Sequence, residues 1–187
     1  MKSRIFVALN IPDKAKDKLF EIINQLNTDK KNLKWEKKDK IHLTLKFVGD
    51  VDDELVPLII KELEFLEEYK TQNLQITGFG FFFRFKEPKI LWAGLKFSDE
   101  LKLIAQKLDD YFTKFGIEKE KREFKPHLTL MRIKNNPGDN FINKFKNSKF
   151  EPIDFQSNSI SLIKSELNPS GSVYTEIKKY NLRPLEE

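Results

Sequence analysis

The chain has two histidines, and both begin the same four-residue sequence, His-Leu-Thr-Leu. The first copy starts at His42 and the second at His127, an offset of 85 residues (127 − 42) in a chain of 187. The same offset relates the apolar run that begins at Ile5 to the one that begins at Ile90. Repetition at a fixed offset indicates internal duplication. Two copies are too few for a solenoid, so the sequence predicts two related lobes.

Each copy predicts the same order of elements: an apolar strand, an amphipathic helix, a basic segment, the histidine strand, a second helix and a closing strand. In the first copy these are strand 4–9, a helix from 13, strand 41–48, helix 52–69 and strand 73–79. In the second they are strand 90–97, a helix from 98, strand 124–133, helix 139–145 and strand 159–164, followed by a final strand 172–179. Asp13 and Ser98 are the expected N-caps. We expect an α+β fold in which residues 1–187 form one domain of two pseudo-symmetric lobes, each with an antiparallel sheet and helices.

Composition limits the class of protein and its partners. The net charge of +5 favours an anionic partner, although weakly. The absence of cysteine excludes disulfides, thiolate zinc sites and cysteine nucleophiles. The apolar runs are too short to span a bilayer, and the first residues lack the pattern of a signal peptide. We expect a cytoplasmic monomer with no membrane partner.

The repeated tetrapeptide suggests acid–base chemistry. Alternate residues of a strand share a face, so His42 projects with Thr44 and His127 with Thr129, while the leucines face a core. If the lobes face each other, two imidazoles and two hydroxyls converge on one cleft. One imidazole can take a proton from water while the other gives a proton to a leaving oxygen. The hydroxyls can donate to phosphate oxygens, and the scheme needs no metal and no other cofactor.

A single histidine in a strand is more often structural than catalytic. Here both histidines of the chain stand in identical tetrapeptides at the repeat offset, which favours the functional interpretation. Lys46 is a further candidate substrate contact because alternation places it on the His42 face. Arg132 is another candidate for phosphate, although alternation turns it away from His127. Phe6 is a candidate for stacking on a base, with a core position as the more common alternative for phenylalanine.

Two basic stretches precede the histidine strands, and they are candidates for the rim of the cleft or for ordinary solvated loops. They comprise Lys30, Lys31, Lys34, Lys37, Lys38 and Lys40 in the first copy, and Lys119, Lys121, Arg122 and Lys125 in the second.

The paired His-x-Thr-x motifs resemble those of the 2H (two-histidine) phosphoesterase superfamily. The flanking blocks, which are Trp35 with 41–49, 91–95 and 124–132, resemble the RNA 2′,3′-cyclic phosphodiesterase family, also called 2′-5′ RNA ligase and LigT/ThpR-like. The segment 165–167 with Gly171 and Tyr174 resembles the C-terminal part of that family.

The resemblance implies a bilobal, LigT-like fold with a V-shaped central cleft. It implies hydrolysis of RNA 2′,3′-cyclic phosphate ends, or of a cyclic nucleotide, to a 2′-phosphate, with 2′-5′ ligation as a side or reverse reaction. By resemblance His42 is the proton donor, His127 the proton acceptor, and Thr44 and Thr129 bind phosphate. Two alternatives stay open: a 2H enzyme for another cyclic phosphate, such as ADP-ribose 1″,2″-cyclic phosphate, and a non-catalytic module that binds RNA ends.

Overall fold

The computed structural model describes residues 1–27, 33–169 and 171–186, and within these ranges it has eight strands and four α-helices. The strands are β1 (Lys2–Asn10), β2 (His42–Asp52), β3 (Gln72–Arg84), β4 (Glu87–Lys96), β5 (His127–Arg132), β6 (Ile153–Ser157), β7 (Ser159–Asn168) and β8 (Gly171–Asn181). The helices are α1 (Asp13–Leu26), α2 (Val56–Glu62), α3 (Asp99–Phe112) and α4 (Asp139–Lys146). This composition confirms the expected α+β class. No helix in the described ranges is long and apolar enough to cross a membrane.

All eight strands belong to one antiparallel sheet, in the order β6-β3-β4-β5-β2-β1-β7-β8. We call strands β2, β1, β7 and β8 the β2 half, and strands β5, β4, β3 and β6 the β5 half. The two halves are joined at one residue pair, Leu43 with Leu128, whereas strands within each half pair over many residues. Because these leucines belong to the two His-Leu-Thr-Leu sequences, the repeated motifs meet where the halves meet.

The sequence repeats and the halves of the sheet do not coincide. Strand β3 closes the first repeat along the chain, yet it pairs with β4 in the β5 half. Strand β7 closes the second repeat and pairs with β1 in the β2 half. Each half therefore contains strands from both repeats, and neither repeat builds its half of the sheet alone.

The offset of 85 also shifts by one residue at the first strand of each repeat. Phe6 is the partner of Phe47, and Ile90 is the partner of Arg132. Ile90 is therefore the structural counterpart of Phe6. The gapless repeat predicted Ile5 as its counterpart, which is wrong by one residue. The pairing pattern reveals this difference because it fixes the register of each strand directly.

The helices form largely as their apolar spacing predicts. In α3, Ser98 caps the first turn as expected, accepting a hydrogen bond from the Leu101 amide at 3.2 Å. In α1, Asp13 is the first helical residue, so its predicted N-cap role is wrong, and Pro12 occupies the cap position without a side-chain bond. The predicted helix 52–69 is also shorter: α2 is flanked by two 3-10 turns, and Pro57 stands in its first turn, where a missing N–H costs nothing.

The core lies on the face of the sheet opposite the histidines. Leu43 and Leu128 are 1% and 0% exposed, and the inward residues of α3, such as Leu108, are completely buried. Burial of each such leucine contributes about 2 kcal/mol. Core packing therefore holds the first residues of β2 and β5, which include His42 and His127, next to the residue pair that joins the halves.

Candidate active site

The two histidine motifs meet on one face of the sheet. The Leu43–Leu128 pair fixes the register, so one step to either side brings His42 beside Thr129 and Thr44 beside His127. All four of these side chains are half-buried, whereas the leucines between them are buried on the other face. The structure therefore gathers two imidazoles and two hydroxyls, as alternation along the strands predicts.

Both imidazoles are held by the same backbone contact. The Nδ1 of His42 lies 2.7 Å from the Lys40 carbonyl oxygen, and the Nδ1 of His127 lies 2.7 Å from that of Lys125. A carbonyl oxygen accepts hydrogen bonds and donates none, so each Nδ1 carries the proton. In the neutral ring this leaves Nε2 as the nitrogen that exchanges protons with a ligand.

Burial lowers the pKa of both imidazoles because it penalises the charged form. Burial is the largest cause for His42, and together with the charges of Arg132 and Lys16, and against the opposing Lys40 carbonyl, it lowers the pKa to about 4. Burial also lowers the pKa of His127, again opposed by a backbone carbonyl and reinforced by Arg132. Without an anion beside them, both rings are consequently neutral at pH 7.

Aromatic rings surround His42. The Phe6 ring stacks on the imidazole with a centroid distance of 4.9 Å, and the Tyr174 ring meets it edge-on at 5.5 Å. Phe6 is 4% exposed and also meets the Tyr174 ring at 5.2 Å, so little of its ring is open to a base. Tyr174 belongs to β8, and no spacing in the sequence indicated that this strand would reach His42.

A β-bulge at the same place in both histidine strands decides which later side chains reach the cleft. In β2, Thr44 and Lys46 face consecutive residues of β1, which leaves Leu45 as the extra residue. In β5, Leu130 is the extra residue by the same criterion. The first six residues of both strands accordingly share one burial pattern, with the sixth residue exposed. Strict alternation therefore fails after the fourth residue of each strand.

The bulge overturns the prediction for Lys46. Its side chain is 6% exposed and lies on the core side, where the ammonium pairs with Asp109 of α3 and donates to the Glu118 carbonyl at 3.0 Å. The expectation that Lys46 shares the His42 face is therefore wrong. Phe47 takes that position instead and borders the cleft.

The same bulge brings Arg132 into the cleft, against the alternation argument. Its side chain is 63% exposed, and its Nε lies 3.5 Å from Oε1 of Glu36. Its charge lowers the pKa of both His42 and His127, and its side chain lines the same cavity as His42. Glu36 had no sequence signal; it arrives because its backbone amide donates to the Leu130 carbonyl at 2.8 Å.

Most of these residues line a cavity of about 340 Å³, at the small end of the range for ligand sites, but His127 is not among the residues that line it. Its walls include Phe6, Lys40, His42, Thr44, Thr129 and Arg132. Among the described residues, no group of three or more His, Asp or Glu side chains is arranged to hold a metal ion. The site offers proton transfer, hydroxyl donors and two guanidiniums, that of Arg132 and that of Arg4, which pairs with Asp50.

Comparison with known proteins assigns the chain to a family. The family model described as LigT-like phosphoesterase matches residues 9–92 and 96–174, which is most of the chain. This chain belongs to the LigT-like phosphoesterase family. The membership confirms the resemblance drawn from the two motifs and the prediction of a hydrolase.

Relatives of this LigT-like chain carry a common name. A Thermotoga maritima protein named RNA 2′,3′-cyclic phosphodiesterase is 28% identical over 172 residues, 91% of each chain. A Methanocaldococcus jannaschii protein of the same name is 29% identical over 185 residues, covering 95% of this chain and 99% of the relative.

Solved structures share the LigT-like fold. The crystal structure of a Thermus thermophilus protein superposes with a TM-score of 0.79 at 24% identity, covering 98% of this chain and 100% of the other. The structure of Escherichia coli LigT complexed with 3′-AMP gives 0.75 at 20% identity, covering 97% and 99%. At these identities the likeness concerns the fold alone.

Most residues of the basic stretches do not reach this LigT-like cleft. Lys40 borders it, and its ammonium donates to the Ser172 carbonyl of β8. Others are paired with nearby carboxylates, namely Lys38 with Asp17, Lys119 with Asp110 and Lys121 with Glu118. Lys30 and Lys31 lie outside the described residues.

Proposed function

We propose that this LigT-like phosphoesterase hydrolyses 2′,3′-cyclic phosphate ends of RNA to 2′-phosphate ends. The observation that carries the proposal is the Leu43–Leu128 pair, because its register brings two imidazoles and two hydroxyls to one face. Relatives named RNA 2′,3′-cyclic phosphodiesterase, aligned over more than nine tenths of the chain, support the choice of substrate.

The reaction needs one base and one acid. Water attacks phosphorus as Nε2 of His127 takes its proton, and the bond from phosphorus to the 3′ oxygen breaks as Nε2 of His42 protonates that oxygen. The product keeps its phosphate on the 2′ oxygen. The order of the two histidines comes from the family resemblance, since the two motifs offer nearly the same geometry.

The low pKa of His42 is compatible with an acid role only when substrate is bound. A cyclic phosphodiester carries a negative charge, and an anion beside an imidazole raises its pKa. Substrate would thus bring a proton onto His42, whereas burial alone keeps the ring neutral. This coupling makes the acid available in the complex and not in the free enzyme.

The remaining groups suit the phosphate. The hydroxyls of Thr44 and Thr129 would donate to its non-bridging oxygens, and Arg132 would supply a positive charge beside them. If a 5′-hydroxyl of another RNA replaced water as the attacking group, the same steps would join the two strands through a 2′-5′ linkage. We therefore include 2′-5′ ligation as a secondary activity of the same site.

Product analysis tests the proposal. A short RNA with a 2′,3′-cyclic phosphate end should yield a 2′-phosphate end, with the same rate in the presence of a metal chelator. ADP-ribose 1″,2″-cyclic phosphate, assayed in parallel, should be the poorer substrate. A 3′-phosphate product would contradict the stated bond cleavage, and RNA binding without turnover would leave a non-catalytic end-binding module.

A further inference from the structure

A second and larger cavity adjoins the cleft. Its volume is about 1010 Å³, roughly three times that of the cleft, and Arg132 lines both. It lies between the C-terminal end of α1 and the loop 133–138 that joins β5 to α4. We call this cavity the β5–α4 groove. Because the two share Arg132 as a wall, a chain that leaves the cleft past this residue enters the groove.

Among the lining residues of the groove that the structure describes, positive side chains outnumber negative ones. Lys34, Lys134 and Lys144 are exposed in its walls, in addition to Arg132, and Asp139 is the one carboxylate among its described lining residues. Clustered lysines beside an arginine attract a phosphodiester backbone. This charge is continuous with the cleft, so it extends the electrostatic surface in one direction from the catalytic centre.

The groove also contains neutral hydrogen-bonding groups. Asn135, Asn136 and Asn140 line it with their side-chain amides. The Oδ1 of Asn136 accepts from the Gly138 amide at 3.0 Å, which leaves its NH₂ group to donate elsewhere. Ribose hydroxyls and base edges are bound through such amides, whereas a simple anion needs only the lysines.

We propose that the β5–α4 groove binds the nucleotides that precede the cyclic phosphate end of an RNA strand. The inference rests on the proposed function, since it extends the same substrate from its terminal nucleotide to the strand behind it. Arg132 stands at the junction, where the backbone passes from the cleft into the groove. The enzyme should therefore prefer an oligonucleotide to a cyclic mononucleotide.

The test compares two double variants on two substrates. Lys134→Gln with Lys144→Gln removes two charges from the groove, and the matched control is Lys61→Gln with Lys102→Gln, two exposed lysines on helices α2 and α3. On an RNA oligonucleotide with a 2′,3′-cyclic phosphate end, the groove variant should lose about tenfold in kcat/KM, as for two phosphate contacts. On 2′,3′-cyclic AMP it should change by less than about twofold, because a mononucleotide ends before the groove.

Binding of an RNA oligonucleotide that already carries a 2′-phosphate end provides a readout independent of turnover. The slope of log K against log salt should fall by about 1.4 in the groove variant, close to 0.7 per lost contact with a single strand. It should stay unchanged in the control.

Two results would overturn the groove as an RNA site: equal affinity and salt slope in the groove variant and the control, or an equal loss of activity on the mononucleotide and the oligonucleotide. If the unmodified enzyme turned over neither substrate, the proposed function would be wrong, and the binding experiment would still decide the groove.

Discussion

The β2 half and the β5 half begin their histidine strands in the same way and surround them differently. In both, the imidazole Nδ1 lies 2.7 Å from the carbonyl two residues before it, and the same bulge follows the threonine. His42, however, is packed by Phe6 and Tyr174, whereas His127 meets the edge of Phe82 at 4.9 Å. Duplication thus retained the orientation of each imidazole while its environment diverged.

The side chains on the strands next to the two histidine strands also differ. In the β2 half, the amide of Asn10 donates to the hydroxyls of Ser159 and Ser161 at 3.0 and 2.7 Å. In the β5 half, the indole of Trp92 lies against Gly80, so closely that a Cβ there would stand 2.2 Å from the ring. The β2 half thus has a hydrogen-bonded network beside its histidine strand, and the β5 half has an aromatic ring packed on a glycine. An acid and a base can arise from identical residues when their surroundings differ in this manner.

Removal of either imidazole should cause the largest loss of activity. His42→Ala and His127→Ala should each lower kcat/KM on a cyclic-phosphate RNA by about 10² to 10⁴, the usual size of a general acid or base contribution. The double variant should fall little further, because the two groups act in one step.

The pH profile then assigns the roles. A base must be deprotonated, so loss of His127 should abolish the acidic limb of the bell-shaped pH profile of kcat, which reports the enzyme–substrate complex. An acid must be protonated, so loss of His42 should abolish the basic limb. The opposite assignment of limbs would reverse the proposed roles without changing the reaction.

The unequal burial of the two rings predicts an unequal dependence of stability on pH. The pKa of His42 is about 4 in the folded chain and near 6.5 when unfolded, so the unfolded chain binds more protons between these values. Stability should therefore be complete above pH 6.5 and fall as the pH drops toward 4, by about 3 kcal/mol. His42→Gln should flatten this dependence in urea unfolding, and His127→Gln should flatten it less because that ring is less buried. Equal flattening by both variants would contradict the difference between the halves.

Much of this site follows from the sequence because it depends on local pattern. Strand alternation and the repeat, both visible in the residues, predict that His42 shares a face with Thr44 and His127 with Thr129, whereas the β2–β5 pairing that joins the two motifs is long-range. Arg132 and Lys46 depend on a bulge, which changes the face of every later side chain and has no signature in a single apolar strand.

Long-range pairing limits the rest of the prediction. Tyr174 reaches His42 through β8, far along the chain, and Glu36 arrives by pairing with β5. The exchange of β3 and β7 between the halves is equally non-local, since β3 does not pair with β2 and β7 does not pair with β6. The short strand β6 was missed because five alternating residues carry too weak a pattern.

A test with a smaller expected effect replaces Lys46, next to the bulge in the β2 half, with the residue found at the equivalent position of the β5 half. Met131 is the counterpart of Lys46, and it is buried without charge. In Lys46→Met the Asp109 carboxylate loses its ammonium, and we expect the free energy of unfolding to fall by about 2 kcal/mol, less than for a fully buried pair because Asp109 keeps 20% of its side chain exposed. Asp109 also accepts from the Glu120 amide at 3.0 Å, so the pair ties the loop before β5 to β2.

Urea unfolding measures this effect, and the neighbouring exposed pair provides the control. Lys119→Met removes the partner of Asp110 on the same helix and should leave stability unchanged, since both side chains are more than half exposed. Adding Asp109→Leu to Lys46→Met should recover part of the loss, because an unpaired buried carboxylate is the main cost. If Lys46→Met were as stable as the control, the Lys46–Asp109 pair would contribute nothing to stability. The two halves would then differ at this position in sequence but not in energy.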